Sequence, residues 1–583
     1  MDHSKDGCVR LAAPWAFAGV LLALWIPSFF ATWRAGPAGL TSFIDSVGLG
    51  AFFWLLWFAL WSRMWLAMAS AIPFALIWPV EMWVRLNFGT PIASHIVAVA
   101  WETGWDEGTN FASAFGFQLG ALALVWLGAY TATMVWAWRQ KVAWRGRSRA
   151  WVLAIGLPLL LWSNWPGGSQ PAIGTASAAD TVLGQGSHGW GVEWENTFPV
   201  NLWVAVSHYR QQRRSLQTLE TTLATRSLHA TQAKPDQVPD LVVLVIGESA
   251  SATHWGALGY GRDTTPRMAR MPGAALFSDV VALSTATRSA VPNVLSRRPV
   301  LRPDGRVDLD AEPSLVKAFS EVGYQTFWFS NQAPLGRHDT SIGLYAHGAD
   351  HVLFLNPSTY DAAGNTYDEA LLGPLRRTLQ QGGRQFIVVH LLGSHFDYAQ
   401  RYPPAFDHFQ PSGQGAGHSG ETQQARTGDA VNNSYDNSIR YTDHILGEIL
   451  DAVRGVGGRA AVAYFSDHGV DPSMGACSSQ SGTRRSEEAY RVPVFVWLSE
   501  ELRARRPEVW QRLQAHEKLP YTTRALYSTL LDLSSIEVAG GLPAESLLNR
   551  PSSAAPRMVA YGERMVDFDA ARHKDACRIG AGG

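Results

Sequence analysis

Five apolar stretches precede Pro166, at residues 12–32, 45–62, 64–86, 115–138 and 150–165, each near the roughly 20 residues that cross a bilayer. Hydrocarbon offers no partner to backbone amides, so such stretches are restricted to helices. Residues 1–165 therefore predict a membrane domain of five helices, the first kept as an anchor rather than cleaved as a signal peptide. Basic residues orient it. Lys5 and Arg10 precede the first stretch, Arg63 separates the second from the third, and Arg139, Lys141, Arg145, Arg147 and Arg149 crowd the gap before the fifth. The positive-inside rule puts these segments in the cytoplasm and everything after Trp165 outside. Tryptophans such as Trp54, Trp61, Trp78 and Trp136 read as interface anchors. The segment Asn87 to Ala114, with Glu102, Asp106 and Glu107, reads either as a solvated outer loop or as a lipid-facing wall of an active site.

Mean hydropathy over the chain is only −0.04, because a long polar remainder offsets this apolar third. Length requires that second unit, since 583 residues exceed what one core of about 250 to 300 residues organises. A net charge of −1 with mixed signs gives no basic face for nucleic acid. Three cysteines, Cys8, Cys477 and Cys577, are too few for a thiolate metal site or a disulfide framework, although Cys477 and Cys577 could pair or stay as free thiols.

Residues 166–238 read as a Gly/Ser/Ala-rich linker followed by a bridging helix, Ser207 to Arg226. From residue 239 to 583 short apolar runs alternate with polar segments, as in an α/β sheet. The runs are Leu241 to Ile246, Tyr324 to Phe329, Phe386 to Leu392, Ala461 to Phe465 and Val492 to Trp497. Four are followed at once by concentrated polar chemistry: Gly247-Glu248-Ser249, Ser330-Asn331-Gln332, Gly393-Ser394-His395 and Ser466-Asp467-His468-Gly469. Open α/β sheets bind ligands outside the carboxyl ends of their strands, so the four clusters are expected to converge. One Asp-His pair is ordinarily a cap or a loop hydrogen bond. Two carboxylates and an imidazole from separate strand ends suit zinc, with manganese as the lesser option, and leave a coordination position for a nucleophile.

No cysteine is placed to be that nucleophile, which leaves a hydroxyl. Ser284, Thr285, Thr287 and Ser289 stand ahead of a predicted helix from Val291 to Ser296. A hydroxyl at a helix N-terminus beside a metal is suited to covalent phosphoryl transfer. An ordinary Ser/Thr N-cap would look the same.

The motifs resemble those of the bacterial phosphoethanolamine transferases that modify lipopolysaccharide and related glycans. The resemblance is carried by Gly247-Glu248-Ser249, Leu258-Gly-Tyr-Gly-Arg-Asp-Thr-Thr-Pro266, Thr287 five residues before Pro292, Phe327-Trp-Phe-Ser-Asn-Gln332, and His390-Leu-Leu-Gly-Ser-His395 with Arg401-Tyr-Pro403. Tyr435-Asp-Asn-Ser-Ile-Arg-Tyr-Thr-Asp443 and Ser466-Asp-His-Gly469 complete it, and with the five-span anchor it covers nearly the whole chain. It is closer to the subgroup acting on lipopolysaccharide core or glucans. The resemblance implies an alkaline-phosphatase, sulfatase-type α/β domain in the periplasm of an inner-membrane protein, with zinc held by Glu248, Thr287, Asp467 and His468. It also implies that Thr287 is the catalytic nucleophile with Thr285 as its neighbour, and that His395 contacts the transferred group or a second metal. Asn331, Gln332, Asp436 and Asn437 become candidate substrate contacts. The implied donor is phosphatidylethanolamine, and the acceptor a lipid A phosphate, core sugar or periplasmic glycan.

Two departures bear on the metal count. Leu283 and Asn293 occupy places where the best-known lipid A enzymes carry cysteines, and the run Val470 to Gly482 lacks their histidine. One zinc is therefore expected, and a second position is in doubt. Competing readings are a glycerophosphate transferase or polymerase using phosphatidylglycerol, and a membrane sensor without turnover. The Cys/Ser-x-Pro-x-Arg pattern of a formylglycine sulfatase is absent around Thr287. Pro411 to Asn433, with His418, reads as a surface loop, and Ala570 to Gly583 as a tail.

Overall fold

The computed structural model describes residues 19, 22–28, 40–88, 91–102, 105–163, 197–332, 341–355, 366–396, 398–414, 428–472, 486–552, 555–561 and 564–571. The chain divides into two compact units, one of Met1–Trp101 with Phe111–Arg210, the other of Glu102–Asn110 with Gln211–Gly583. Cys8, Cys477, Cys577 and His418 lie outside the described residues.

The first unit is helical. Its elements are α1 (Leu40–Leu60), α2 (Met64–Ser70), α3 (Ile72–Phe88), α4 (Ser94–Glu102), α5 (Trp105–Arg139, which begins in the other unit) and α6 (Arg147–Ser163), followed by α7 (Val200–Thr225), which continues into the second unit. The first apolar stretch falls largely outside the described residues. The third is not one straight span: α2 and α3 meet at 61°. Pro73, in the first turn of α3, has no N–H to continue the ladder of α2, which accounts for the break. Among the described residues, Gly116–Arg139 alone is long and apolar enough to cross a membrane unaided, and the bent pair α2–α3 passes the same test together. The segment read as an outer loop is largely helical instead, taken up by α4 and the first turns of α5. Pro91 and Gly104 fall outside the two helices, and Asp106 and Glu107 suit the N-terminal turn of α5.

The bridging helix begins at Val200, earlier than expected, because its first turn is held by a buried charge. The Arg85 Nε donates to Glu81 Oε1 at 2.5 Å, and the Asn201 amide and the Ile92 N–H reach the same carboxylate at 3.1 Å. Glu81, Arg85 and Asn201 are all buried. Removing one member of such a group leaves another charge desolvated, at a cost of about 3–5 kcal/mol. Glu81→Ala is therefore expected to lower the melting temperature of the detergent-solubilised protein by far more than removal of an exposed carboxylate such as Glu500.

The second unit is built on a seven-stranded sheet. Its strands are β1 (Leu241–Gly247), β2 (Ala274–Phe277), β3 (Gln325–Ser330), β4 (His351–Phe354), β5 (Gln385–His390), β6 (Ala460–Ser466) and β7 (Val494–Leu498), in the spatial order β2-β7-β6-β1-β5-β3-β4. The five strands from β6 to β4 run parallel, and β7 runs against both neighbours. β1 and β6 are buried along their whole length, as continuous apolar runs covered on both faces require. One face packs Val242, Leu244, Ile246, Phe386, Val388 and Phe465 with α8 (Thr287–Leu295). The other packs Val243, Val245, Ile387, Val389 and Val462 against Tyr435, Ile439, Ile445 and Ile449 of α9 (Gly428–Val456). The last residues read as loop before Asn433 thus already belong to α9.

The central parallel strands β6, β1, β5 and β3 are neighbours, so the four polar clusters leave the sheet side by side. Backbone pairing continues past the strand ends: Asp467 N–H donates to the Gly247 carbonyl, Leu391 N–H to Ile246, and Asn331 N–H to His390. Adjacent strands lie about 4.8 Å apart, which sets the spacing of the side chains that follow.

Candidate metal centre

Glu248 follows β1, and Asp467 and His468 follow β6. All three are buried, and their ligand atoms lie within 4.8 Å of one another, the only such group among the described residues. His468 Nε2 is 3.6 Å from Glu248 Oε1 and 3.6 Å from Asp467 Oδ2. Thr287, the first residue of α8, completes the set: its hydroxyl donates to Glu248 Oε2 at 3.0 Å and lies 3.4 Å from His468 Nε2. Ligands about 2.0–2.1 Å from a tetrahedral zinc stand roughly 3.4 Å apart, and the separations of 3.0 to 3.6 Å here lie close to that. The backbone explains why glycines flank them. A side chain at Gly247 would meet the Tyr464 ring at 2.5–2.8 Å, and one at Gly469 would meet the Glu488 carbonyl at 2.2 Å.

The electrostatics point the same way. His468 Nδ1 lies 3.0 Å from the Gly469 carbonyl, which can only accept, so Nδ1 carries the proton and Nε2 keeps its lone pair for the site. Burial works against charge on Glu248, but the positive charge that the His468 and His395 rings carry when protonated, together with the Ser249 hydroxyl, outweighs it and lowers the carboxyl to about 2. Burial and the charge of Glu248 push Asp467 well above the carboxylate range. Its Oδ1 accepts from the N–H groups of Ser249 and His468 at 2.9 and 2.7 Å, while Oδ2 is buried and accepts no hydrogen bond. An orphaned carboxylate oxygen facing a second carboxylate is what a bound cation resolves. The donor set of two carboxylates, a neutral imidazole and a hydroxyl fits zinc.

Thr287 is not ahead of its helix. α8 starts at Thr287 itself, four residues before the predicted Val291, with Ala286 at the cap position and no side-chain cap. The hydroxyl is thereby free of the capping role and directed to Glu248. Ser284 and Ser289, the other candidates, pair with each other at 2.7 Å. Thr285 lies half-buried two residues before α8. The helix is held without flanking cysteines: the Asn293 amide donates to the carbonyls of Ser289 and Leu301 at 2.5 and 3.1 Å.

His395 lies near enough to lower the Glu248 carboxyl, with Nδ1 2.8 Å from the Phe396 carbonyl. The candidate substrate contacts fare differently. Gln332 donates its amide to Glu248 Oε2 at 3.1 Å and to the Leu391 carbonyl at 3.0 Å, so it orients a metal ligand. Asn331 is fully buried, its amide spent on Asp368 and the Thr366 carbonyl. Asp436 is fully buried beneath His254, Tyr260 and Arg262, all of which bond to it. Asn437, equally buried, ties the His408 and Phe409 N–H groups to α9. In the structure these three brace the fold from within, spending their hydrogen bonds on protein as buried polar groups do.

Two residues outside the candidate set carry weight, Asp368 with no motif around it and His390 at the head of the His390–His395 motif. Asp368, far from any strand end in sequence, accepts from the Leu392 and Gly393 N–H groups at 2.8 and 2.9 Å and so shapes the turn that launches His395. His390 ends β5 in full burial, with Nε2 unpartnered, and burial lowers it to about 4 despite the attraction of Glu248. A histidine held neutral in the fold but protonated near 6.5 when unfolded contributes stability that is complete above pH 6.5 and is lost as pH falls toward 4. With about 1.36 kcal/mol per pKa unit, the loss reaches up to about 3 kcal/mol. Denaturant titrations of zinc-free protein at pH 7 and pH 4.5 are expected to differ by less in His390→Gln than in the native chain.

Residues 240–536 match the sulfatase family model. The chain belongs to the sulfatase family. Within it, phosphoethanolamine transferase EptC of Escherichia coli is 24% identical over 599 residues, covering 98% of this chain and 99% of that protein. Phosphoethanolamine transferase OpgE of E. coli is 35% identical over 230 residues, 39% of each chain. The Kdo(2)-lipid A phosphoethanolamine 7''-transferase of E. coli is 27% identical over 354 residues, 58% of this chain and 60% of that protein. The resemblance read from the motifs therefore holds along the chain. Among solved structures, the zinc complex of the C-terminal periplasmic domain of E. coli EptC aligns with a TM-score of 0.52 at 24% identity, over 60% of this chain and 98% of that one. The integral membrane protein lipooligosaccharide phosphoethanolamine transferase A of Neisseria meningitidis aligns with a TM-score of 0.62 at 18% identity, over 92% and 99%. These two likenesses show a shared sulfatase-family fold.

Proposed function

We propose that the protein is a zinc-dependent phosphoethanolamine transferase of the inner membrane, with its second unit in the periplasm. The observation that carries this is Thr287 at the start of α8 with its hydroxyl on Glu248 and 3.4 Å from His468 Nε2, a hydroxyl placed as nucleophile and ligand at once. Relatives bearing the transferase name along the full chain support the reading. Glu248, Thr287, Asp467 and His468 would hold the zinc, which when bound lowers the pKa of a coordinated hydroxyl and neutralises phosphoryl oxygens.

The chain's own residues supply the rest. The Thr287 oxygen attacks the phosphorus of phosphatidylethanolamine and its proton passes toward Glu248 Oε2. The bond from phosphorus to the glycerol oxygen breaks, and diacylglycerol leaves with a proton that His395 gives. An acceptor oxygen then attacks phosphorus, an acceptor hydroxyl giving its proton to His395, and the bond to Thr287 breaks as the threonine oxygen takes back the proton from Glu248. The N-terminal end of α8, where the helix dipole is positive, faces the phosphoryl oxygens. The acceptor is a lipid A phosphate, a core sugar or a periplasmic glycan. Gln332 keeps Glu248 oriented throughout.

Membranes incubated with head-group-labelled donors decide the donor. Label from phosphatidylethanolamine on lipopolysaccharide or glycan supports the reading. Transfer of glycerophosphate from phosphatidylglycerol instead would assign the rival polymerase-type activity, and no transfer from either would leave the sensor.

A further inference from the structure

We propose that Ser249 and Tyr435 form a lock that holds both carboxylates of the metal centre in place before any cation arrives; this rests on the metal reading of that centre. Five non-glycine residues among those described have positive φ, and Ser249, at +59°, is the buried one; the others lie in exposed or half-exposed turns. A left-handed conformation is uncommon for serine and persists only where surroundings enforce it. Glycine would adopt it without strain, yet the position holds a hydroxyl.

Each polar group of Ser249 is used. Its N–H donates to Asp467 Oδ1 at 2.9 Å, and its hydroxyl donates to Glu248 Oε1. One residue thus grips a ligand from each of two strands, leaving Glu248 Oε2 to Thr287 and Gln332, and Asp467 Oδ2 to the cation. The Ser249 carbonyl accepts from the Tyr435 hydroxyl at 2.7 Å, and that same hydroxyl accepts from Ser251 N–H at 2.8 Å. Tyr435 is fully buried, its ring centroid 5.0 Å from those of both His254 and Tyr398. The tyrosine cannot swing away, so the strained turn cannot relax. Ser249 and Tyr435 are positioning residues: they touch ligands and backbone, never the reacting phosphorus.

The test uses the full-length protein in detergent, with zinc affinity measured by competition against a chromophoric chelator and melting temperature measured on the zinc-free form. Partners of metal ligands typically contribute 10–100-fold in affinity. Ser249→Ala and Ser249→Gly are both expected to bind zinc more weakly by about that factor. Ser249→Gly should nonetheless melt above Ser249→Ala without zinc, since it loses the same hydroxyl but relieves the backbone. A role in folding alone would lower melting and leave affinity intact. Tyr435→Phe keeps the ring packing and repeats the comparison with Ser249 present, and should also weaken zinc binding. Native-like affinity, within about twofold, in Ser249→Ala and Tyr435→Phe would overturn the lock while leaving the metal centre standing. Absence of zinc binding by the native chain would overturn both.

Discussion

Thr287→Ala is expected to lose transfer by a factor on the order of 10⁴ or more, as removal of a covalent nucleophile does elsewhere. The same variant should form no phosphoethanolamine adduct when incubated with phosphatidylethanolamine, and mass spectrometry of the intact protein reads this directly. The fold should survive. Thr287 is the first residue of α8, where its side chain caps nothing, and alanine is a good helix former. Thr287→Ser keeps a hydroxyl at the same backbone position and should retain the adduct. Persistence of the adduct in Thr287→Ala would move the nucleophile elsewhere, with half-buried Thr285 the next hydroxyl to examine.

Asp467→Asn is the second large effect, and its sign differs between the metal-free and metal-bound forms. Without a cation, burial and Glu248 push Asp467 well above the carboxylate range, so it keeps its proton to higher pH than an exposed aspartate does. Asparagine mimics that protonated state: its oxygen can still accept from Ser249 and His468 N–H, and its amide replaces the orphaned Oδ2 with a donor. The zinc-free variant should be at least as stable as the native chain. Zinc should no longer raise its melting temperature, whereas the native protein gains about 2.7 kcal/mol at 100 times the dissociation constant. Activity should fall with it. In the native chain, zinc binding is expected to release a proton, so affinity declines as pH falls. Calorimetry in two buffers of different ionisation enthalpy measures that proton, and a zinc-induced stabilisation of Asp467→Asn equal to native would remove Asp467 from the ligand set.

The candidate metal ligands were legible because strand ends are. Leu241 to Ile246 and Ala461 to Phe465 are continuous apolar runs that only a buried strand explains, and the residues just beyond them must emerge at one edge of a parallel sheet. The start of α8 was not legible. Ala-Thr-Arg-Ser-Ala carries hydroxyls that suit a cap, and only the Ser289 and Ala290 N–H groups donating to the Ala286 carbonyl show that the helix reaches back to Thr287. Asn331, Asp436 and Asn437 are candidate substrate contacts only through the motifs that carry the family resemblance. The tertiary structure buries all three and commits their hydrogen bonds to Asp368, to the Leu258–Pro266 segment and to the 408–409 turn. Asp368 itself had no local signal, since its partners lie 24 and 25 residues away.

The sequence by itself determined which residues could be ligands, because side-chain chemistry and the period of apolar runs are local properties. It also determined that the first third is apolar enough to require helices. The tertiary structure decided the bend between α2 and α3, the role of each polar residue around the centre, and the grip of Ser249 on two carboxylates. Those depend on which groups are desolvated together, and burial is a property of the packed chain rather than of any segment within it.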